Sequence, residues 1–360
     1  MNKPEPMLNL FDFEKSMTSS LEASAIDYYQ SGALDEHTLK DNISAFQRIQ
    51  FLPRVLKDVS HVNTNTSFAG QQLSTPILFS PTAFLGMAHE DGELAVARAA
   101  QNAKTIMICS TLSNYPIEEI TASTQASVWF QLYAYKDRQA TLNLIQRAKH
   151  AGCKALVITV DAPFLGRREQ DVKNQFQLPS HLNIANLFSK DHISLPNKGG
   201  HSGLAHYFEN LIDKSLTWRD IDWLKREADM PVYLKGILHP KDAQLAVEHG
   251  VDGIIVSNHG GRQLDGSISS IDALPAISRA VNKQIPIMLD GGIRRGSDIL
   301  KALALGAETV GIGRPVIWGL NHSGQQGVET IVNILTAELS LAMALAGCQD
   351  IQSISDDILV

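Results

Sequence analysis

Eight short apolar runs recur along the chain: PILFS (76–80), TIMICS (105–110), VWFQLY (128–133), ALVITVD (155–161), PVYLKG (231–236), GIIVSNH (253–259), PIMLDGG (286–292) and TVGIGRP (309–315). Most are apolar throughout rather than alternating, which suits strands covered on both faces of a parallel sheet. Segments with a helical period separate them, at 90–103, 116–123, 138–151, 217–228, 240–249, 272–282 and 297–305, with a last one at 326–346. Several open on capping residues, as Ser297-Asp298 does before ILKALAL, and several end at a glycine, as at Gly152, Gly250 and Gly306. Eight strand-then-helix units in order predict a (β/α)8 barrel or a long doubly wound sheet. No GxGxxG follows the first strand, which favours the barrel. The chain thus reads as one domain over 1–360, with a helical segment at 1–70 and the barrel at 71–350.

One interval departs from the pattern. About 75 residues separate the fourth strand from the fifth, against roughly 22–33 elsewhere. The excess includes 178–206, rich in Pro, Gly, His and Asn and without clear periodicity, which predicts a lid loop over the barrel mouth.

Composition narrows the function. The chain has 360 residues, 44% hydrophobic and 19% charged, enough apolar content for a large core. Its formal net charge of −7 argues against a nucleic-acid or membrane-surface binder, so any basic site must be local. Cys109, Cys153 and Cys348 form no CxxC and read as buried thiols in a reducing compartment; no metal site is expected. The N-terminus MNKPEPMLNLFDFEK lacks the basic-then-apolar pattern of a signal peptide, and no 18-residue apolar stretch predicts a membrane span. A cytoplasmic protein is the expectation.

In a barrel, residues at the C-terminal strand ends converge on one site. Those ends supply Pro81-Thr82-Ala83; Ser110; Gln131 and Tyr133; Thr159, Asp161 and then Arg168; Lys235; Ser257, His259 and Arg262; Asp290, Gly292 and Arg294; Gly313 and Arg314. A single strand-end arginine is ordinarily a surface or packing residue. Here Arg168, Lys235, Arg262, Arg294 and Arg314 crowd one face of an acidic protein, and five cations in one mouth repel unless anions occupy it. The mouth should therefore bind at least two anionic groups. The glycine-rich turns DGGIRRG and GIGRP lead into helices and suit a phosphate. Arg168 and Arg262 could fork a carboxylate. His259 suits a general base near neutral pH, oriented by Asp161.

The strings SNHGGRQLD (257–265), LDGGIRRGSD (289–298), LGRRE (165–169) and GIGRP (311–315) resemble those of the FMN-dependent L-2-hydroxy acid oxidases and dehydrogenases, and the resemblance spans nearly the whole chain. It implies FMN as cofactor and oxidation of an L-2-hydroxy acid to the 2-oxo acid, with O2 reduced to H2O2. Catalytic roles would fall on His259, on Asp161 supporting it, on Tyr133 near the substrate hydroxyl, and on Lys235 beside flavin N1 and the C2 carbonyl. Tyr28, Arg168 and Arg262 would receive the substrate carboxylate. The FMN phosphate and ribityl chain would meet Asp290, Gly292, Arg294, Gly313 and Arg314. The flavin ring would rest on Pro81, Thr82 and Ala83, with Ser110, Gln131, Thr159 and Ser257 around it. Relatives of this kind assemble as tetramers or octamers.

Two positions depart from the plant glycolate oxidases. Leu112 stands for a tryptophan and Phe208 for a small aliphatic residue, as in bacterial lactate oxidases, although Thr82 is glycolate-oxidase-like. L-lactate is the expected substrate, with glycolate or longer and aromatic 2-hydroxy acids as alternatives. The lack of a haem domain and the polar 178–206 segment favour an oxidase over a cytochrome- or quinone-linked dehydrogenase. Outside the family, an isomerase barrel would not need Arg168, Arg262 and His259 together, and a non-catalytic FMN module would turn nothing over.

Overall fold

The computed structural model describes residues 7–187 and 203–360, with backbone alone for 203–206. Three helices come first: α1 (Leu10–Met17), α2 (Ala23–Gln30) and α3 (His37–Arg48). A hairpin of β1 (Thr66–Phe68) and β2 (Gln71–Leu73) follows, antiparallel. The eight expected strands are then β3 (Ile77–Phe79), β4 (Ile106–Cys109), β5 (Ser127–Leu132), β6 (Leu156–Thr159), β7 (Val232–Ile237), β8 (Gly253–Val256), β9 (Ile287–Asp290) and β10 (Thr309–Ile312). They pair in parallel in chain order and close β10 onto β3, a (β/α)8 barrel.

The outer helices are α4 (Gly92–Asn102), α5 (Ile117–Ala122), α6 (Arg138–His150), α7 (Glu169–Lys173), α8 (Gly203–Leu211), α9 (Trp218–Ala228), α10 (Pro240–Glu248), α11 (Ser270–Val281), α12 (Gly296–Ala304) and α13 (Arg314–Ala346). Their caps match the local sequence. Asp137 caps α6, and Thr217 closes a capping box on α9 with Asp220.

Four features differ from the sequence expectation. The first strand of the β1–β2 hairpin falls inside the segment read as helical, and the second lies just beyond it. The hairpin's Phe68 and Leu73 are buried with the barrel interior, where three-residue strands carry too short a pattern to be read. The last helix begins at Arg314 rather than 326, because a break at Ser323 and Gly324 (φ −155° and +57°) joins two helical stretches. By length and a mean hydropathy of 1.5 over one window α13 could cross a membrane, but it packs chiefly on α4, α12 and α1. Finally, α8 starts inside the segment read as structureless. Leu204, Tyr207, Phe208 and Leu211 do have helical spacing, but they straddle that segment's end. Of the expected lid, 178–187 is anchored: Ile184 is buried, and the Asn186 side chain bonds Ile117 N, Thr111 O and Ser113 Oγ. Its remainder, 188–202, lies outside the described residues.

The strand period of two builds the site. Leu78, Ile108, Trp129, Val157, Tyr233, Ile255 and Met288 fill the barrel interior. Two residues further along each strand come Ser80, Ser110, Gln131, Thr159, Lys235, Ser257 and Asp290, all buried and all polar. The eighth strand contributes Gly311, where a Cβ would lie 2.3 Å from both Ser80 Oγ and the Met288 methyl. An apolar plug thus carries a ring of hydrogen-bonding groups that faces the C-terminal mouth.

Candidate active site

The mouth is a cleft of about 1010 Å³. Among the residues singled out from sequence, all line it except Asp161 and Ser257, which stand directly behind its wall. The His259 Nδ1 lies 2.9 Å from Asp161 Oδ1. Ser257 Oγ lies 3.0 Å from both Lys235 Nζ and the His259 backbone nitrogen, and accepts from both. Tyr29, Ser80, Gly260, Gly291 and Ile317 also line the cleft without having been singled out. Ser80 alone was signalled, by the alternation that places it above Leu78.

The charges sort into two groups. Lys235 Nζ is 3.5 Å from Asp290 Oδ2, which also accepts from Ser80 Oγ at 3.2 Å. Arg262 donates to the carbonyls of Tyr28 (2.6 Å) and Ser31 (3.0 Å), and Arg314 to those of Tyr29, Gly260 and Ser31 (3.0, 3.0 and 3.2 Å). These carbonyls belong largely to the C-terminal end of α2, where helix carbonyls lack intrahelical partners and draw cations. Arg314 borders the cleft, and its N–H groups also tie α2 to the β8 turn.

Arg168 and Arg294 are left over. Among the described residues, Arg168 Nε and one of its terminal nitrogens have no hydrogen-bond partner, nor has Arg294 Nε, and both side chains are buried. Arg168 meets the Asp171 carboxylate only at 3.8 Å, and a buried guanidinium with N–H groups left unsatisfied is costly unless an anion completes it. Two such groups, each with cationic neighbours, provide for two anions.

The first anion position has the Tyr28 ring stacked on Phe176 and 5.1 Å from the Arg262 guanidinium, with its hydroxyl against Arg168. Burial and then Arg168 push Arg262 down to about 10, so a third party carrying negative charge is favoured there. At the second, Arg294 lies over Trp318 at 4.7 Å, beside the glycines of the β9 turn and the start of α13. A Cβ on Gly313 would meet little but Thr82 Oγ1 at 3.8 Å, so open space lies against that backbone. A phosphate fits this donor set. Between the two positions, Asp290 Oδ1 has no partner among the described residues, an acceptor free for a hydroxyl. Gln131 donates to Thr159 Oγ1 (3.0 Å) and accepts from Ser110 Oγ and Thr111 N (3.3 and 3.2 Å), a fixed polar ladder along β4–β6.

The His259–Asp161 pair offers a base to the cleft. Burial lowers its pKa below the usual 6.5; Asp161 opposes that and Lys235 reinforces it. The imidazole is thus neutral at neutral pH. Asp161 is held below its ordinary value, because His259 and Lys235 outweigh its burial. With Nδ1 bonded to Asp161, Nε2 is the acceptor that faces outward. Tyr133 is pushed far above the ordinary phenol value by burial and then by Asp161, so it stays protonated and donates. Leu112 and Phe208 complete the wall, with Phe208 edge-on to Tyr133 at 5.2 Å between centroids.

Residues 17–360 match the FMN-dependent dehydrogenases. The chain belongs to that family. An L-lactate oxidase of Nostoc sp. is 50% identical over 356 residues, covering 98% of each chain. A mouse 2-hydroxyacid oxidase 1 is 49% identical over 346 residues, 95% of this chain and 94% of that one. A solved mandelate oxidase with (S)-4-hydroxymandelic acid superposes at TM-score 0.93 with 39% identity, covering 98% of each chain. In an FMN-dependent dehydrogenase the ring, ribityl chain and phosphate have matching places here. The polar ladder and Lys235 suit the ring, Asp290 the ribityl hydroxyls, and Arg294 with the Gly292 and Gly313 backbones the phosphate.

Proposed function

We propose that this FMN-dependent enzyme oxidises L-lactate and related short L-2-hydroxy acids to 2-oxo acids, with O2 as the electron acceptor and H2O2 as the product. One observation carries the reading: Arg168, whose Nε and one terminal nitrogen make no hydrogen bond among the described residues, faces, with Arg262 and Tyr28, the same cleft as the His259–Asp161 pair. That arrangement holds a carboxylate and presents a base to the carbon beside it. FMN, held by Arg294, Asp290 and Lys235, would supply the two-electron acceptor for this oxidation and the link to O2.

The protein's own groups do the rest. Arg168 and Arg262 fork the substrate carboxylate, and the Tyr28 hydroxyl completes its hydrogen bonds. The fork holds the carboxylate, His259 and Tyr133 meet the oxygen on Cα, and the ring site lies on the third side, so three substituents of Cα are placed and one enantiomer is selected. His259 Nε2 accepts the proton that leaves the substrate, and the Asp161 carboxylate stabilises the imidazolium that results. Tyr133, kept protonated, donates to the oxygen on Cα. Lys235 supplies positive charge beside the ring site as negative charge develops there.

Leu112 and Phe208 set the substrate side chain. A leucine leaves room that a larger residue would fill, while Phe208 against Tyr133 limits length, so a methyl side chain fits best. The test is the flavin absorbance of the purified holoenzyme without oxygen, followed after adding L-lactate, glycolate or (S)-mandelate. The expected result is fastest bleaching by L-lactate. Faster bleaching by glycolate or mandelate would overturn the substrate, and no bleaching by any of them would overturn the activity.

A further inference from the structure

We infer that Gly236 is a positioning residue for the His259–Asp161 pair, acting through Asp161. This rests on the activity above, in which His259 is the base.

The β7–β8 register first shows something unusual here. Lys235 pairs with Ile255 and Ile237 pairs with Val256, so Gly236 is an extra residue, a bulge in β7. Its φ is +110°, a conformation that side chains with a Cβ rarely adopt. A bulge at this point falls between two residues with fixed duties. Lys235 must turn into the barrel to reach Ser257 and Asp290, and Ile237 must pack outward in the core.

The space over the bulge is taken by one residue. A Cβ on Gly236 would lie 2.5 Å from Asp161 Cβ, 2.6 Å from Asp161 Cγ and 3.0 Å from Asp161 N. The first two are closer than real carbon contacts permit and the third is tighter than most, and none is the end of a flexible side chain. Asp161 cannot retreat freely, because Gln263 Nε2 holds its carbonyl at 2.9 Å and β6 fixes the preceding residues through Val160 N to Lys235 O (2.9 Å). The absence of a side chain at Gly236 therefore lets the Asp161 carboxylate lie against β7. From there its Oδ1 reaches His259 Nδ1. Position 236 touches neither the cleft nor the base. It acts on catalysis only by where it allows Asp161 to stand.

The test is Gly236→Ala in the holoenzyme, alone and combined with Asp161→Gly, which removes the two side-chain atoms the new methyl would strike. Flavin reduction is measured without oxygen across pH, using the 2-hydroxy acid that best reduces the parent enzyme. If none reduces the parent, the activity reading and this inference fall together. The expected result for Gly236→Ala is reduction about 100-fold slower, the cost of roughly 1 Å of misplacement. Half-saturation by substrate should change less than about threefold, because the arginine fork is untouched. The acid limb of the pH profile should move to lower pH, since His259 loses the carboxylate that raises its pKa. In the Asp161→Gly background, where the strain at φ +110° remains but the clash with the Asp161 side chain is gone, Gly236→Ala should cost at least about tenfold less. An equal cost in both backgrounds, or an unshifted pH profile, would overturn the inference. If Gly236→Ala alone does not fold, the double variant decides: recovery of a folded, FMN-binding protein supports the clash with Asp161, and failure to recover overturns it.

Discussion

His259 has φ +59°, uncommon for a residue with a Cβ, and Gly260 follows at +66°. Such a turn persists only where its surroundings over-determine it. Here Asn258 does so: its Oδ1 accepts from Gly261 N (3.1 Å) and Asn42 Nδ2 (2.8 Å), and its Nδ2 donates to Asn42 Oδ1 (2.7 Å) and Ile268 O (3.1 Å). The imidazole is thereby presented with Nδ1 to Asp161 and Nε2 to the cleft. The consequence is a signed pH effect. Burial lowers the His259 pKa and Asp161 partly restores it. Asp161→Asn removes the restoring charge, so the base is present to still lower pH and the acid limb of flavin reduction moves down. The plateau falls, because the imidazolium formed on proton transfer loses its counter-charge, by about 10²–10⁴-fold. Rapid-mixing reduction rates between pH 5 and 9 check both parts. A falling plateau with an upward-moving limb would contradict the assignment of Asp161 as the partner that stabilises the cation.

At the scale of elements, α3 is the unexpected contributor. Its Asn42 reaches Asn258 in the β8 turn, and its backbone touches the β9 turn. A Cβ on Gly292 would lie 1.8 Å from Asn42 O, at a φ of +84°. The glycine in DGG is therefore needed for helix contact as much as for a phosphate. Gly292→Ala should force α3 from the turn, lowering stability by on the order of 3 kcal/mol. FMN affinity should weaken at least about tenfold, read by quenching of flavin fluorescence on binding. Unchanged melting and FMN affinity would mean that α3 gives way freely. This contact shows where sequence reading stops. The barrel strands were legible because most are apolar along nearly their whole length, and strand-end position then named Lys235, His259, Asp290 and Arg294 without knowledge of geometry. Tyr29, Asn42 and Gly236 carry no such signal, since their importance arises from contacts with residues distant in sequence. Arg314 was legible as a cation at the mouth, but not that α2 carbonyls would engage it.

The whole molecule is organised around contacts between the loops that line the mouth, and one of them is ionisable. Glu93, in the first turn of α4, is fully buried. Its Oε1 accepts from Leu85 N (3.3 Å) and Asn114 N (3.1 Å), joining the loop after β3 to the loop after β4. Phe84 N donates to Leu112 O (3.1 Å) between the same loops. Through these bonds the segment carrying Pro81–Ala83 is held to the segment carrying Leu112. Glu93 Oε2 has no partner among the described residues, and burial pushes the carboxyl up to about 7. The folded value lies above the unfolded one, so Glu93's contribution to stability is fully present below about 4.5 and is lost as pH rises through about 7. The full swing is roughly 3 kcal/mol. Glu93→Gln keeps an oxygen for the two backbone donors and removes the titration. Relative to that variant, the parent should lose roughly 4 °C of melting temperature between pH 4.5 and pH 8. Differential scanning calorimetry of both proteins at the same FMN concentration checks this. Parallel melting curves across that range would show that Glu93 is charged in the fold at every pH, and that the loops are joined by a buried carboxylate rather than by a carboxylic acid that ionises near neutrality.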